Sequence, residues 1–244
     1  MEHTQKITTV LFDLDGTLLP MELELFMKDY FQRLSQKMNL CGYDGNAVLD
    51  NIGKGIHAIH TNKSSRLNEE IFWESLSTAY KKEEASKLKD IFEEFYRVEF
   101  QAVQNVCGFT PDAKKAVHFC HEHGLDTILA TTPLFPAIAT CSRVRWAGLD
   151  PSDFSYITTY ENSSRCKPSP EYYQEILTKR HLKPEECLMV GNDVSEDMPA
   201  ATLGIQVFLL TDCLINTKNA DISSYPQGDY SSLLQFIRRF LSHE

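Results

Sequence analysis

Short apolar runs recur along this chain, each breaking off abruptly and each separated from the next by enough residues for a helix. They are ITTVLF (7–12), LDTILA (125–130), YITTY (156–160), CLMVGN (187–192) and QVFLL (206–210). Runs this short, rich in β-branched and large apolar side chains, read as buried strands. Between them the signals change to helix. Thr110-Pro111-Asp112 starts a helix that runs to Gly124, with proline at the first helical position. Others are expected from the Pro133/Pro136 loop to about Trp146, over SPEYYQEILTKRH (169–181), over SEDMPAATLG (195–204) and over the amphipathic DYSSLLQFIRRFL (229–241). Strands alternating with helices join as right-handed βαβ units, which makes the sheet parallel. The expected core is an α/β fold, a Rossmann-like doubly wound parallel sheet.

Residues 21–108 break this alternation. Leu23, Phe26, Met27, Tyr30, Phe31, Leu34 and Met38 recur at helical spacing. Further helices are expected over about 46–61, from Asn68 as N-cap through Tyr80, and over about 83–101. No strand signal interrupts the block. The expected organisation is an α/β core of residues 1–20 and 109–244 with an all-helical cap of residues 21–108 inserted into it. The insertion leaves the core just after the first strand, so it is placed to cover the strand ends. Its aromatic residues read as bundle core.

Composition narrows the function classes. The 244 residues carry a formal net charge of −10 and no basic block, which argues against nucleic acid and anionic membranes as partners. Seven cysteines form no C-x-x-C pair, which argues against a zinc site or a disulfide framework and fits a reducing cytosol. MEHTQKITTV has no apolar signal region, and no run of about eighteen apolar residues occurs. A soluble cytoplasmic protein is expected. An acidic surface gives no long-range attraction for anions, so local groups must hold an anionic substrate.

In open parallel sheets, ligands bind outside the carboxyl ends of the strands. Here those ends carry Asp13 and Asp15, then Thr131-Thr132, then Lys167, then Asn192, Asp193 and Asp197. Two aspartates one residue apart repel each other, and burial makes that worse unless something binds them. Carboxylates for Mg²⁺, a hydroxyl for a phosphoryl oxygen and a lysine for charge are the parts phosphoryl transfer needs.

DLDGT at 13–17, Thr131 closing a strand, Lys167 in CKPSPEYY and GNDVSED at 191–197 together resemble the haloacid dehalogenase superfamily of phosphohydrolases. The resemblance is in chain order and spans nearly the whole sequence, and the helical insertion sits where that superfamily places its first-position cap. It implies a Mg²⁺-dependent phosphatase of a small phosphorylated metabolite. By the same resemblance, Asp13 is the nucleophile that forms an aspartyl-phosphate and Asp15 is the general acid and base. Thr131 binds the phosphoryl group and Lys167 neutralises its charge. Mg²⁺ is expected at Asp13, Asp15 and the acidic loop, where Asn192 and Asp193 compete. A carboxylate suits hard Mg²⁺ better than an amide, which favours Asp193. Asp197 is expected to orient Lys167 or a metal-bound water, Thr17 to cap the chain leaving the site, and Glu196 to lie on the surface. The superfamily usually has asparagine where this chain has Thr132, which is grouped with the substrate-binding residues. Lys54, between two glycines in the insertion, is set against a solvated alternative as a substrate contact. His57 and His60 read as surface. Asp15 argues against the dehalogenase branch. A phosphomutase on the same site and a catalytically idle binding or regulatory protein are the alternatives.

Overall fold

The computed structural model describes residues 6–241. The chain ends assigned above to the core, 1–5 and 242–244, lie outside the described residues. The strands are β1 (Thr9–Phe12), β2 (Asp126–Leu129), β3 (Tyr156–Ile157), β4 (Cys187–Gly191), β5 (Gln206–Leu210) and β6 (Gln227–Gly228). They form one parallel sheet in the order β3-β2-β1-β4-β5-β6. Helices α1 (Leu23–Leu40), α2 (Gly45–Thr61), α3 (Asn68–Ser77) and α4 (Lys82–Arg97) make the insertion. Helices α5 (Pro111–Glu122), α6 (Ala137–Trp146), α7 (Pro170–Arg180) and α8 (Tyr230–Arg238) flank the sheet. No described helix is long and apolar enough to cross a membrane.

Alternate strand residues point to opposite faces, and both faces are covered, so the strands read as continuous apolar runs. Val10, Phe12, Leu188, Val190 and Phe208 join one apolar cluster with α5, α6 and α8. Leu11, Ile128, Met189, Val207 and Leu209 join a second with Tyr172, Tyr173, Ile176 and Leu177 of α7. The first cluster continues into the insertion through Phe26, Tyr30, Phe95 and Phe100. Phe100 packs on Trp146 with ring centroids 5.0 Å apart, and Tyr30 on Phe135 at 5.4 Å.

Backbone bonds tie the insertion to the core at two places among others. Where the chain leaves and returns, Met21 bridges Cys107 and the Gly108 amide donates to the Pro20 carbonyl at 2.6 Å. At the start of α3, the Asn68 and Glu69 amides donate to the Ser163 and Tyr160 carbonyls, each at 2.8 Å.

Several local expectations need correction. Asn68 is not the N-cap of α3. Leu67 holds that position, its amide donating to the Glu70 carboxylate at 3.0 Å, while Asn68 is fully buried and its amide group donates to the Pro133 carbonyl. The fourth insertion helix ends at Arg97 and gives way to a 3₁₀ segment, Glu99–Val106. The segment after β4 is also 3₁₀, Met198–Leu203, and Gly204 ends it at φ +88°. Only Tyr156–Ile157 of YITTY pairs as strand. The two-residue edge strand β6 carries no sequence signal.

Candidate active site

Strands β1 and β4 are neighbours, and the strand order runs in opposite directions from them, so the sheet has its switch point there. Asp13 follows β1 and its amide donates to the Val190 carbonyl at 2.9 Å. The turn beyond it requires Gly16, which has φ +82°, and a Cβ there would overlap the Asn192 amide. Thr17 does not cap the departing chain, whose first helix has Glu22 at its N-cap. Its hydroxyl donates to Asn192 Oδ1 at 2.9 Å, while Asn192 Nδ2 donates to the Cys213 carbonyl at 2.6 Å. Asn192 therefore spends both ends of its amide on joining the β4 loop to the β1 loop on one side and to the loop after β5 on the other.

Lys167 is buried between two carboxylates. Its ammonium donates to Asp13 Oδ1 at 2.8 Å and to Asp197 Oδ1 at 2.6 Å. Burial alone would lower the Lys167 pKa, but Asp13 and Asp197 outweigh it and hold the pKa well above the usual lysine range. One cation cannot neutralise two buried carboxylates. Burial accordingly pushes Asp197 up to about 7, with Lys167 opposing the rise and Asp13 adding to it. The other Asp197 oxygen accepts from the Asp193 amide at 2.9 Å. It lies so close to Gly191 that any Cβ there would collide with it. Asp197 thus orients Lys167, as expected.

Asp15 faces a cation that sequence reasoning missed. Arg143 of α6 is fully buried, donates to Asp15 Oδ2 and stacks on Phe135 with its guanidinium carbon 4.4 Å from the ring centre. Asp15 Oδ1 has no hydrogen-bond partner among the described residues, although it is buried. Enclosure raises the Asp15 pKa, Arg143 works against the rise, and the charge on Asp13 adds to it. Arg143 was findable. Ala139, Thr140, Arg143 and Val144 share the buried face of α6, and a charge within such a stripe needs a partner. Glu196 was also missed. It lines the cavity rather than the surface, accepts from the Thr132 hydroxyl at 2.8 Å, and has its pKa raised by burial against the opposing charge of Lys167.

Thr131 is held by its backbone. Its carbonyl accepts from Thr158 Oγ1 at 2.7 Å and from the Tyr172 hydroxyl at 2.9 Å. Its own hydroxyl takes no partner among the described residues. Asp193 Oδ1 accepts from the Ser195 and Glu196 amides at 2.7 and 3.1 Å. Asp13 and Asp193 each keep one carboxylate oxygen without a hydrogen bond among the described residues. No group of three or more His, Cys, Asp or Glu side chains placed to hold a metal is found among those residues. Two free carboxylate oxygens suffice for Mg²⁺, which keeps several waters and takes the rest from phosphate. The donor set fits that ion, with Asp193 free where Asn192 is engaged. Asp15, grouped with the ligands on sequence, gives one carboxylate oxygen to Arg143 and keeps the other without a hydrogen bond among the described residues.

These residues form the floor of a cavity of about 300 Å³. Asp13, Asp15, Thr131, Thr132, Asn192 and Asp193 line it from the strand ends. The insertion lines it from the other side, so Tyr30, Phe31 and Phe72 are cavity wall as well as bundle. Lys54 is not part of it. Helix α2 turns Ile52, Ile56 and His60 to the cavity at four-residue spacing, and Lys54 points elsewhere, exposed and donating to Asn51 Oδ1 at 3.1 Å. His60 is exposed, as read, yet also reaches the cavity rim.

A family model described as haloacid dehalogenase-like hydrolase matches residues 7–203. Pyrophosphatase PpaX of Bacillus cereus is 28% identical over 188 residues, covering 77% of this chain and 76% of the relative. Among solved structures, a HAD phosphatase from Thermococcus onnurineus matches at a TM-score of 0.58 and 16% identity, covering 97% of this chain and 100% of that one. A predicted phosphoglycolate phosphatase from Haemophilus somnus matches at 0.55 and 17%, covering 94% and 97%. At such identities the two structures speak for the fold alone.

Proposed function

Because the chain belongs to the haloacid dehalogenase-like hydrolase family, we propose that it is a phosphatase acting on a small phosphomonoester through an aspartyl-phosphate on Asp13. The free Asp13 oxygen attacks phosphorus, the ester P–O bond breaks, and Asp15 gives its proton to the departing oxygen. Water then attacks the aspartyl-phosphate while Asp15 takes a proton back, releasing phosphate and restoring Asp13. Thr131 donates its unpartnered hydroxyl to a phosphoryl oxygen. Lys167 holds Asp13 in place and offsets charge on the transferred group. Asp13 and Asp193 would hold Mg²⁺, which when bound supplies further positive charge to the phosphoryl oxygens.

The observation that carries this reading is the unlike environment of two carboxylates two positions apart. Asp13 sits on a buried ammonium, while Asp15 is enclosed and has its pKa raised. A carboxylate oriented by a cation, beside one that holds its proton more tightly than usual, suits a nucleophile and a proton donor working side by side. The likeness to a pyrophosphatase supports phosphoryl chemistry. The mostly apolar wall opposite Asp13 favours hydrolysis over a sugar phosphomutase, whose substrate hydroxyls need polar partners. The test is hydrolysis of phenyl phosphate with Mg²⁺, with EDTA, and by Asp13→Asn. Turnover that needs Mg²⁺ and falls by at least about 10³-fold in a folded Asp13→Asn variant is expected. Turnover surviving that substitution would place the nucleophile elsewhere.

A further inference from the structure

The far wall of the cavity says what the leaving group must be. Met27 and Phe31 of α1, Ile52 and Ile56 of α2, Phe72 of α3 and Phe135 beside α6 face the strand ends. Among the described residues neither lysine nor arginine lines the cavity, and Arg143 and Lys167 are buried and committed to carboxylates beneath it. The two tyrosine hydroxyls at this wall, Tyr30 and Tyr96, are bonded to each other at 2.9 Å. His60, on the exposed rim, is the remaining basic side chain. Five carboxylates, Asp13, Asp15, Asp193, Glu196 and Asp197, line the same cavity. A leaving group with a second phosphoryl group or a carboxylate would lose its hydration, face those acids and find no lysine or arginine on the wall to pair with. An apolar group would displace water from apolar wall and gain by it.

Resting on the phosphatase reading above, we propose that the substrates are phosphate monoesters of apolar, uncharged alcohols or phenols. A volume of about 300 Å³ lies at the small end of ligand pockets, so the group is one ring or a short chain beside the phosphoryl group. Selectivity then comes from buried apolar area, and the acidic residues reject anionic leaving groups.

The test is a series of straight-chain alkyl phosphates with Mg²⁺. Leaving-group basicity is nearly constant along the series, so only binding changes. The value of kcat/KM should climb by about threefold to fourfold per methylene until the cavity is full. The ω-carboxyalkyl phosphate of equal length should react at least about 100-fold less well. Ile56→Lys, which adds a cation to the wall, should shift that ratio towards the carboxylated ester. A flat series, or a preference for the carboxylated ester or for pyrophosphate, overturns the proposal. The matching alkylphosphonates, which lack a cleavable ester bond, keep the two readings apart. Their affinities, measured by calorimetry, should tighten along the series whether or not the esters turn over. Absence of turnover with that trend intact sinks the phosphatase reading alone. Affinities that do not grow with chain length, or no phosphonate binding, sink the apolar leaving group.

Discussion

On the floor of the cavity, Lys167 bridges Asp13 and Asp197, Asn192 bonds both Thr17 and Cys213, and the Asp193 amide and Gly191 are fitted to Asp197. On the facing wall, Met27, Phe31, Ile52, Ile56 and Phe72 share only apolar contact area. The floor is a low-dielectric network in which no member can be removed without stranding another. The wall is a sum of nearly independent contacts, in which one residue can change and leave its neighbours serviceable. Such a division lets one chemistry be kept while the leaving group it accepts is altered.

The sharpest way to break this contrast is at Lys167. Lys167→Met should destabilise the protein by about 3–5 kcal/mol in chemical denaturation, because two buried carboxylates lose their counter-charge. The double variant with Asp197→Asn should recover part of that loss, and an additive double would refute the network. Next comes Arg143, read as a positioning residue for Asp15. Arg143→Gln removes the charge that opposes the Asp15 rise, so Asp15 should keep its proton to higher pH. The alkaline limb of the kcat profile should move to higher pH. A lower kcat with an unmoved limb would make Arg143 merely structural.

The effect at Asp197 is gentler and concerns stability. Its folded pKa, about 7, lies above the ordinary value of 3.8, so the folded state holds the proton more tightly than the unfolded state. Its contribution to stability is therefore lost as pH rises from 3.8 to about 7. The melting temperature of Asp197→Asn, relative to the native protein, should improve steadily across that window. A constant difference would show that Asp197 does not titrate there. Smallest of all, Lys54→Ala should leave kcat/KM within about twofold, in keeping with the ordinary cost of a surface change.

How far the sequence could be read follows the same division. Asp13, Asp15, Thr131 and Lys167 were legible because each follows a strand, and strand ends in a parallel sheet converge. Asp197 was legible for the same reason, four residues beyond the loop it serves. Glu196 was misread since its neighbours look polar, and only the fold shows that Thr132 meets it. Arg143 lay in a helix whose register was readable but whose partner sits 128 positions away in the chain. The cavity wall was hardest. Helical spacing marks Tyr30, Phe31 and Phe72 as apolar-face residues, but one apolar face serves a bundle core and a binding wall equally well.

Gly191 has a consequence of its own. A hydrogen atom there leaves the space that an Asp197 oxygen fills. Alanine at that point would add only a methyl group and would be counted a neutral replacement by any measure of polarity. It would nonetheless act as a mutation of charge, because the evicted carboxylate would leave Lys167 with a single counter-ion. The permitted drift at the end of β4 is therefore governed by an acid six residues downstream.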